Sequence, residues 1–183
     1  VVRGRERNRA LDDARRERTL CIVGEHDRAS IAHDLSERFE SSGLDLAGRT
    51  VALPSEYVVV RDNDMGGEDG IALGSEMSGG IRYVFFTDNV LRSGESAIRF
   101  KANLDRGGTV EHIGVRRFKV GSFKRLFWFQ LNYPSQLGGN FPSTYRNIVF
   151  EDFEVEDVGT LFEAHAPAVA PLRDVLLRNI NVS

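Results

Sequence analysis

Two cations stand two residues apart in the segment AIRFKA: Arg99 and Lys101. In an extended strand that spacing puts both side chains on one face. A guanidinium and an ammonium presented together can hold a carboxylate, the guanidinium through two parallel N–H donors. Three other segments alternate in the same way and add further groups: Ala72 and Gly74 in GIALGS, Trp128 and Gln130 in LFWFQL, Glu163 and His165 in LFEAHA. The small residues leave room for a bulky ligand beside the cations, and all of these side chains are expected to project to solvent. An ordinary solvated sheet face would be richer in Thr, Ser, Lys and Glu. The plain alternative is that Arg99 and Lys101 pair with Glu163 or with aspartates on neighbouring strands.

These segments must lie side by side, and the chain carries a repeat that would place them so. In SEYVVVRDNDM, IRYVFFTDNVL, EHIGVRRFKV, RNIVFEDFEV and RDVLLRNINV the anchors Val58, Val84, Ile113, Ile148 and Val175 are 26, 29, 35 and 27 residues apart. Apolar residues recur two positions later (Val60, Phe86, Val115, Phe150, Leu177) and seven positions later (Met65, Leu91, Val120, Val155, Val182). Alternation with period two predicts strands. The polar breaks at Asp62, Asp88, Arg117, Asp152 and Asn179 predict bends. The second strand set keeps the same clock, with Ile71, Ile98, Phe127 and Phe162 spaced by 27, 29 and 35 residues. Leu73, Phe100, Phe129 and Ala164 are its expected inward residues. A propeller blade would need hairpin turns between antiparallel strands in each repeat, and no Asn-Gly or Asp-Gly pair recurs from repeat to repeat. A parallel β-helix of about five rungs fits, with the anchors as one buried column contributing roughly 1.5–3 kcal/mol per side chain. Because the fifth anchor strand ends just before Ser183, an open solenoid edge is expected.

The 24 basic and 27 acidic residues give a formal net charge of −3, without the basic excess of a nucleic-acid module. No apolar run approaches the roughly 20 residues of a membrane span. Cys21 is the single cysteine, so no intrachain disulfide can form. Positive charge is almost all arginine, with Lys101, Lys119 and Lys124 the exceptions. Residues 1–41 differ in texture: a mixed-charge, aromatic-poor run is followed by a short predicted strand, TLCIVG, and by Ile31, Leu35 and Phe39 at helical spacing. They read as an irregular or partly helical appendage, lacking GxGxxG and a P-loop lysine.

The segments GLDLAGRTVALPSEYVVVRDN, IALGSEMSGGIRYVFFTDN, AIRFKANLDRGGTVEHI, FQLNYPSQ and FEAHAPAVAPLRDVLLRNINV resemble glycoside hydrolase family 28, most nearly its bacterial exo-polygalacturonase-like branch. The resemblance covers residues 42–183, the C-terminal part of that domain, and GSEMSGG with R-x-K is its specific signature. It implies a right-handed parallel β-helix that hydrolyses α-1,4-linked galacturonic acid of pectin with inversion, needs no cofactor or metal, and is secreted or periplasmic. It maps the carboxylate-binding pair onto Arg99 and Lys101 and a subsite tyrosine onto Tyr133. The GSE of that signature, Gly74 to Glu76, reads as a structural turn. Trp128 and Gln130 complete the expected substrate wall.

Two departures stand against that pattern. Where the family has a histidine in Gly-His-Gly, this chain has Gly67-Glu68-Asp69-Gly70, with Glu68 at the histidine position. The family's catalytic aspartates, in Asn-Thr-Asp and Asp-Asp segments upstream, have no counterpart, and Asp12-Asp13 lies in the wrong context. Residues 1–41 are therefore read as not family sequence, the product of a frame shift or a truncated reading frame. The chain alone is expected to be inactive. Competing expectations are a pectate lyase-like enzyme, a non-catalytic β-helix that binds acidic polysaccharide, and a purely structural β-helix.

Overall fold

A computed structural model describes residues 20–23 and 54–183 of the chain, with side chains over the second range. The strands are β1 (Leu20–Val23), β2 (Ser55–Arg61), β3 (Asp64–Met65), β4 (Asp69–Leu73), β5 (Ile81–Asn103), β6 (Thr109–Tyr133), β7 (Thr144–His165) and β8 (Arg173–Val182). Hydrogen bonding runs in the order β1-β2-β5-β6-β7-β8, with β3 and β4 also paired to β5. Each of these pairings is parallel, and no helix intervenes among the described residues. A chain that returns in parallel beside itself at every step is a coil of stacked rungs, the parallel β-helix that the repeat predicts.

The repeat arithmetic and the register agree residue by residue. Val58, Val84, Ile113, Ile148 and Val175 are successive partners across the sheet. The first four are at most 1% exposed. Ile71, Ile98, Phe127 and Phe162 form a second register column. Because one period serves both columns, aligning either aligns the other. Aromatic rings fill the space between them: Phe100 stacks on Phe129 at 4.5 Å, and Phe127 meets Phe150 at 4.1 Å.

Long strands turn corners where the polar breaks lie. Asp62, Asp88, Arg117, Asp152 and Asn179 all adopt left-handed backbone, as do Tyr57, Tyr83, His112, Asn147 and Asp174 five positions earlier in each rung, with φ between 53° and 59°. That geometry costs a non-glycine residue about 1–2 kcal/mol, least for Asp and Asn, which the corners favour. Inside the first corner two buried asparagines replace apolar residues. Asn89 Oδ1 accepts from the Asn63 backbone N–H at 3.0 Å, and Asn89 Nδ2 donates to the Val60 carbonyl at 3.1 Å.

Two expectations need adjusting. Ala164, expected inward, is exposed, and Phe162 is 37% exposed, because no described strand pairs with the far side of that half of β7. The short strand expected near residue 20 is present as β1, whose residues pair with β2 from Leu20↔Val58 to Val23↔Arg61. It lies in the segment read as an appendage, yet its backbone joins the common sheet. The expected helix at 31–39 and the division at 41/42 lie outside the described residues.

Candidate carboxylate-binding site

The late halves of the rungs bring the chemically active residues into two outward columns. Ala72, Arg99, Trp128 and Glu163 share one register line, and Lys101, Gln130 and His165 share the next. β4 ends in a close backbone approach: Gly74 has φ +98°, and a Cβ there would fall 2.1 Å from the Lys101 carbonyl oxygen. Only glycine closes this turn against β5. From the other side the buried Tyr145 hydroxyl donates to the same carbonyl at 3.3 Å. The backbone beneath Lys101 is thus held from two directions.

Arg99 is 7% exposed and hydrogen-bonded at both ends of its fork. Its Nη1 donates to Asp69 Oδ2 at 2.9 Å, and its Nη2 donates to Tyr133 Oη at 2.7 Å and to Gln130 Oε1. The third nitrogen, Nε, is buried without a hydrogen-bond partner. Asp69 is itself held by the Ser96 hydroxyl, one rung on. The cross-rung ion pair weighed for this arginine is therefore formed, with Asp69 and not with Glu163. Glu163 instead accepts from Arg125 Nε at 2.5 Å and contacts His165 Nε2 at 2.8 Å. The Arg125 hydrogen bond, followed by that of His165, holds the Glu163 carboxyl below its ordinary range. It stays an anion and is a poor proton donor.

Trp128 does not project to solvent as the alternation implies. It is 8% exposed, its ring covered by the guanidinium of Arg99 at 4.1 Å and of Arg125 at 4.2 Å. Two cation–π contacts take up the surface a sugar would stack on. Strand alternation assigns a side chain to the outside of a sheet, but neighbouring side chains decide whether water reaches it. Gln130, likewise, is engaged with Arg99.

Lys101 is placed differently. Among the described residues its ammonium has no carboxylate partner, and it sits 5.9 Å from the Tyr133 ring centroid. Lys101 and Tyr133 line a cavity of about 360 Å³ together with Ser75, Asn103, Asp105, Pro134, Gln136, Leu137 and Arg106, whose guanidinium pairs with Glu76 at 2.8 Å. Asp105, 2% exposed, shapes that wall by accepting from the backbone N–H groups of Gln136, Leu137 and Gly139 at 2.5, 2.9 and 2.8 Å. Burial opposes ionisation of Asp105, but those three donors outweigh it and its carboxyl stays below the ordinary range. Tyr133 accepts from Arg99, which has no acceptor of its own, so the phenolic proton is not used in that contact. The cavity therefore offers an ammonium and a hydroxyl donor to an anionic ligand.

Glu68 is exposed at the start of β4. Its carbonyl accepts from the Glu95 N–H at 2.7 Å, and among the described residues its carboxylate has no partner. The arrangement brings together Arg99, Lys101, Tyr133 and Gln130, buries Trp128 beneath them, and leaves Glu68 to one side. Sequence reasoning allowed for an aspartate on a neighbouring strand as the partner of Arg99 without singling out Asp69. The signal was present, since register places Asp69 opposite Ser96, three residues before the arginine on the same strand.

Comparison with known proteins agrees with this frame. No protein-family model matches the chain. A probable polygalacturonase of Vitis vinifera is 31% identical over 147 residues, 77% of this chain and 30% of that protein. The crystal structure of a hyperthermoactive exopolygalacturonase from Thermotoga maritima superposes with a TM-score of 0.69 at 28% identity, over 76% of this chain and 32% of that one. The chain thus spans about a third of the length of the relatives it matches. With register, fold and sequence in accord, the chain is similar to polygalacturonases, consistent with the resemblance to glycoside hydrolase family 28, and carries part of their right-handed parallel β-helix.

Proposed function

We propose that this chain is the acidic-sugar-binding part of a polygalacturonase-type hydrolase, acting on α-1,4-linked galacturonate with inversion. The observation that carries the reading is the cavity where the Lys101 ammonium and the Tyr133 hydroxyl converge, backed by Arg99. Inversion requires one carboxyl to protonate the leaving oxygen and another to activate water, roughly 6.5–9.5 Å apart. The described residues supply no such pair. Asp69 is bound to Arg99, Glu163 to Arg125, and Glu95 to Lys124 and Arg125, which leaves Glu68 alone on this wall. The reading therefore has the 183-residue chain bind oligogalacturonide without cleaving it.

Titration calorimetry with trigalacturonate and a neutral galactose oligomer tests the proposal. The chain is expected to bind the acid alone, and Lys101→Met to weaken that binding by about tenfold or more, the loss of a charge-assisted contact. Equal affinity for the two sugars would refute the reading. Reducing ends released from polygalacturonate by the purified chain would refute its non-catalytic part.

A further inference from the structure

A guanidinium that recognises a carboxylate from solution needs a pair of N–H donors facing that solution. Arg99 has none. One end of its fork is on Asp69, the other on Gln130 and Tyr133, its Nε is enclosed, and Trp128 covers one face. Asp69 already takes up the Nη1 end of that fork, and its side chain is only 14% exposed. The sequence puts this carboxylate in the Gly-Glu-Asp-Gly segment, as the first residue of β4, one rung away from the arginine.

We infer that Asp69 is an internal stand-in for the substrate carboxylate: it occupies Arg99, lowers affinity for acidic sugars, and leaves Lys101 and Tyr133 as the groups that touch the ligand's charge. The inference rests on the acidic-sugar reading above and refines it. Charge sets the direction of the effect. With Asp69 ionised, the clamp of Arg99 and Lys101 carries one net positive charge instead of two. A second carboxylate entering the cavity also meets the repulsion of the first. Removing the charge while keeping the shape relieves both effects. Arg99 is here a positioning residue, which orients the Tyr133 hydroxyl.

The test compares the intact chain with Asp69→Asn, using galacturonate, its methyl ester and galactose as probes. Asp69→Asn is expected to bind galacturonate about tenfold more tightly, with affinity for the two neutral sugars unchanged. Asp152→Asn removes the same charge from a corner, where Asp152 accepts from Asn179, and is expected to leave all three affinities unchanged. Galacturonate binding that is unchanged or weaker in Asp69→Asn overturns the inference while leaving the acidic-sugar reading intact. If neither protein prefers galacturonate to its methyl ester, that reading fails and the inference falls with it. Should Asp69→Asn not fold, Lys101→Met with Asp69 intact decides the same question. With Arg99 occupied, loss of Lys101 abolishes the preference for galacturonate over its ester, and a preference that survives shows Arg99 to be available and overturns the inference.

Discussion

Two of the Arg–Asp pairs of the β-helix join the same groups on different walls. At the corner beside the buried asparagines Arg117 clasps Asp88 through Nε at 2.6 Å and Nη2 at 2.7 Å, with side chains 47% and 39% exposed. On the site wall Arg99 meets Asp69 at 2.9 Å, with side chains 8% and 14% exposed. Both pairs join adjacent rungs, so parallel stacking at fixed register produces both. They differ in what surrounds them. The corner pair lies along an open groove of about 620 Å³, where water and salt screen it. The site pair is enclosed by Trp128, Gln130 and Tyr133, so each partner offsets the desolvation of the other. One contact geometry thus serves as a surface ornament in one place and as a structural lock in the other.

Breaking the enclosed pair should have the largest effect. Arg99→Gln leaves Asp69 largely out of water without its counter-ion and is expected to cost about 3 kcal/mol of unfolding free energy. Urea denaturation followed by tryptophan fluorescence measures it, Trp128 being the only tryptophan and in contact with the lost group. A cost no greater than that of the corner variant would erase the distinction between the two walls. The corner variant, Arg117→Gln, is expected to lower stability slightly at low salt and not at all in ~1 M salt, where the screening length shrinks to about 3 Å. A deficit that persists in high salt would mean the corner pair is shielded after all. The smallest effect is a pH dependence. The Arg117 hydrogen bond, then that from Thr87, lowers the Asp88 carboxyl from 3.8 to about 2. A lowered folded-state value means that the contribution is complete above pH 3.8 and disappears as pH falls through about 2. The gap between parent and Arg117→Gln in low-salt urea titrations should therefore close over that interval. A gap that stays constant would show that Asp88 is not its source.

How far the sequence could be read depended on the kind of interaction involved. The anchors Val58, Val84, Ile113, Ile148 and Val175 were legible because apolar burial is non-directional and repeats with the rung. The corners were legible because they interrupt that alternation at one fixed offset. Trp128 was misplaced as a solvent-facing group because alternation reports the face of a sheet, not the depth of what lies on that face. Which groups lock Arg99 was not legible because Asp69 comes from the rung before its own and Gln130 and Tyr133 from the rung after, and a hydrogen bond requires a distance that spacing alone cannot supply.

By itself, the sequence determined the stack: a constant repeat of apolar pairs has one economical way to bury itself, which is coil upon coil in register. It also determined that Arg99 and Lys101 leave the same strand on the same side, since that follows from the two-residue period of an extended chain. Only the tertiary structure decided that these neighbours have different roles. Arg99 is drawn into a neutral, buried contact with Asp69, and Lys101 is left facing an open cavity. The physical reason is that charge recognition depends on desolvation and on the third dimension of contact, neither of which is written in the order of residues along one strand.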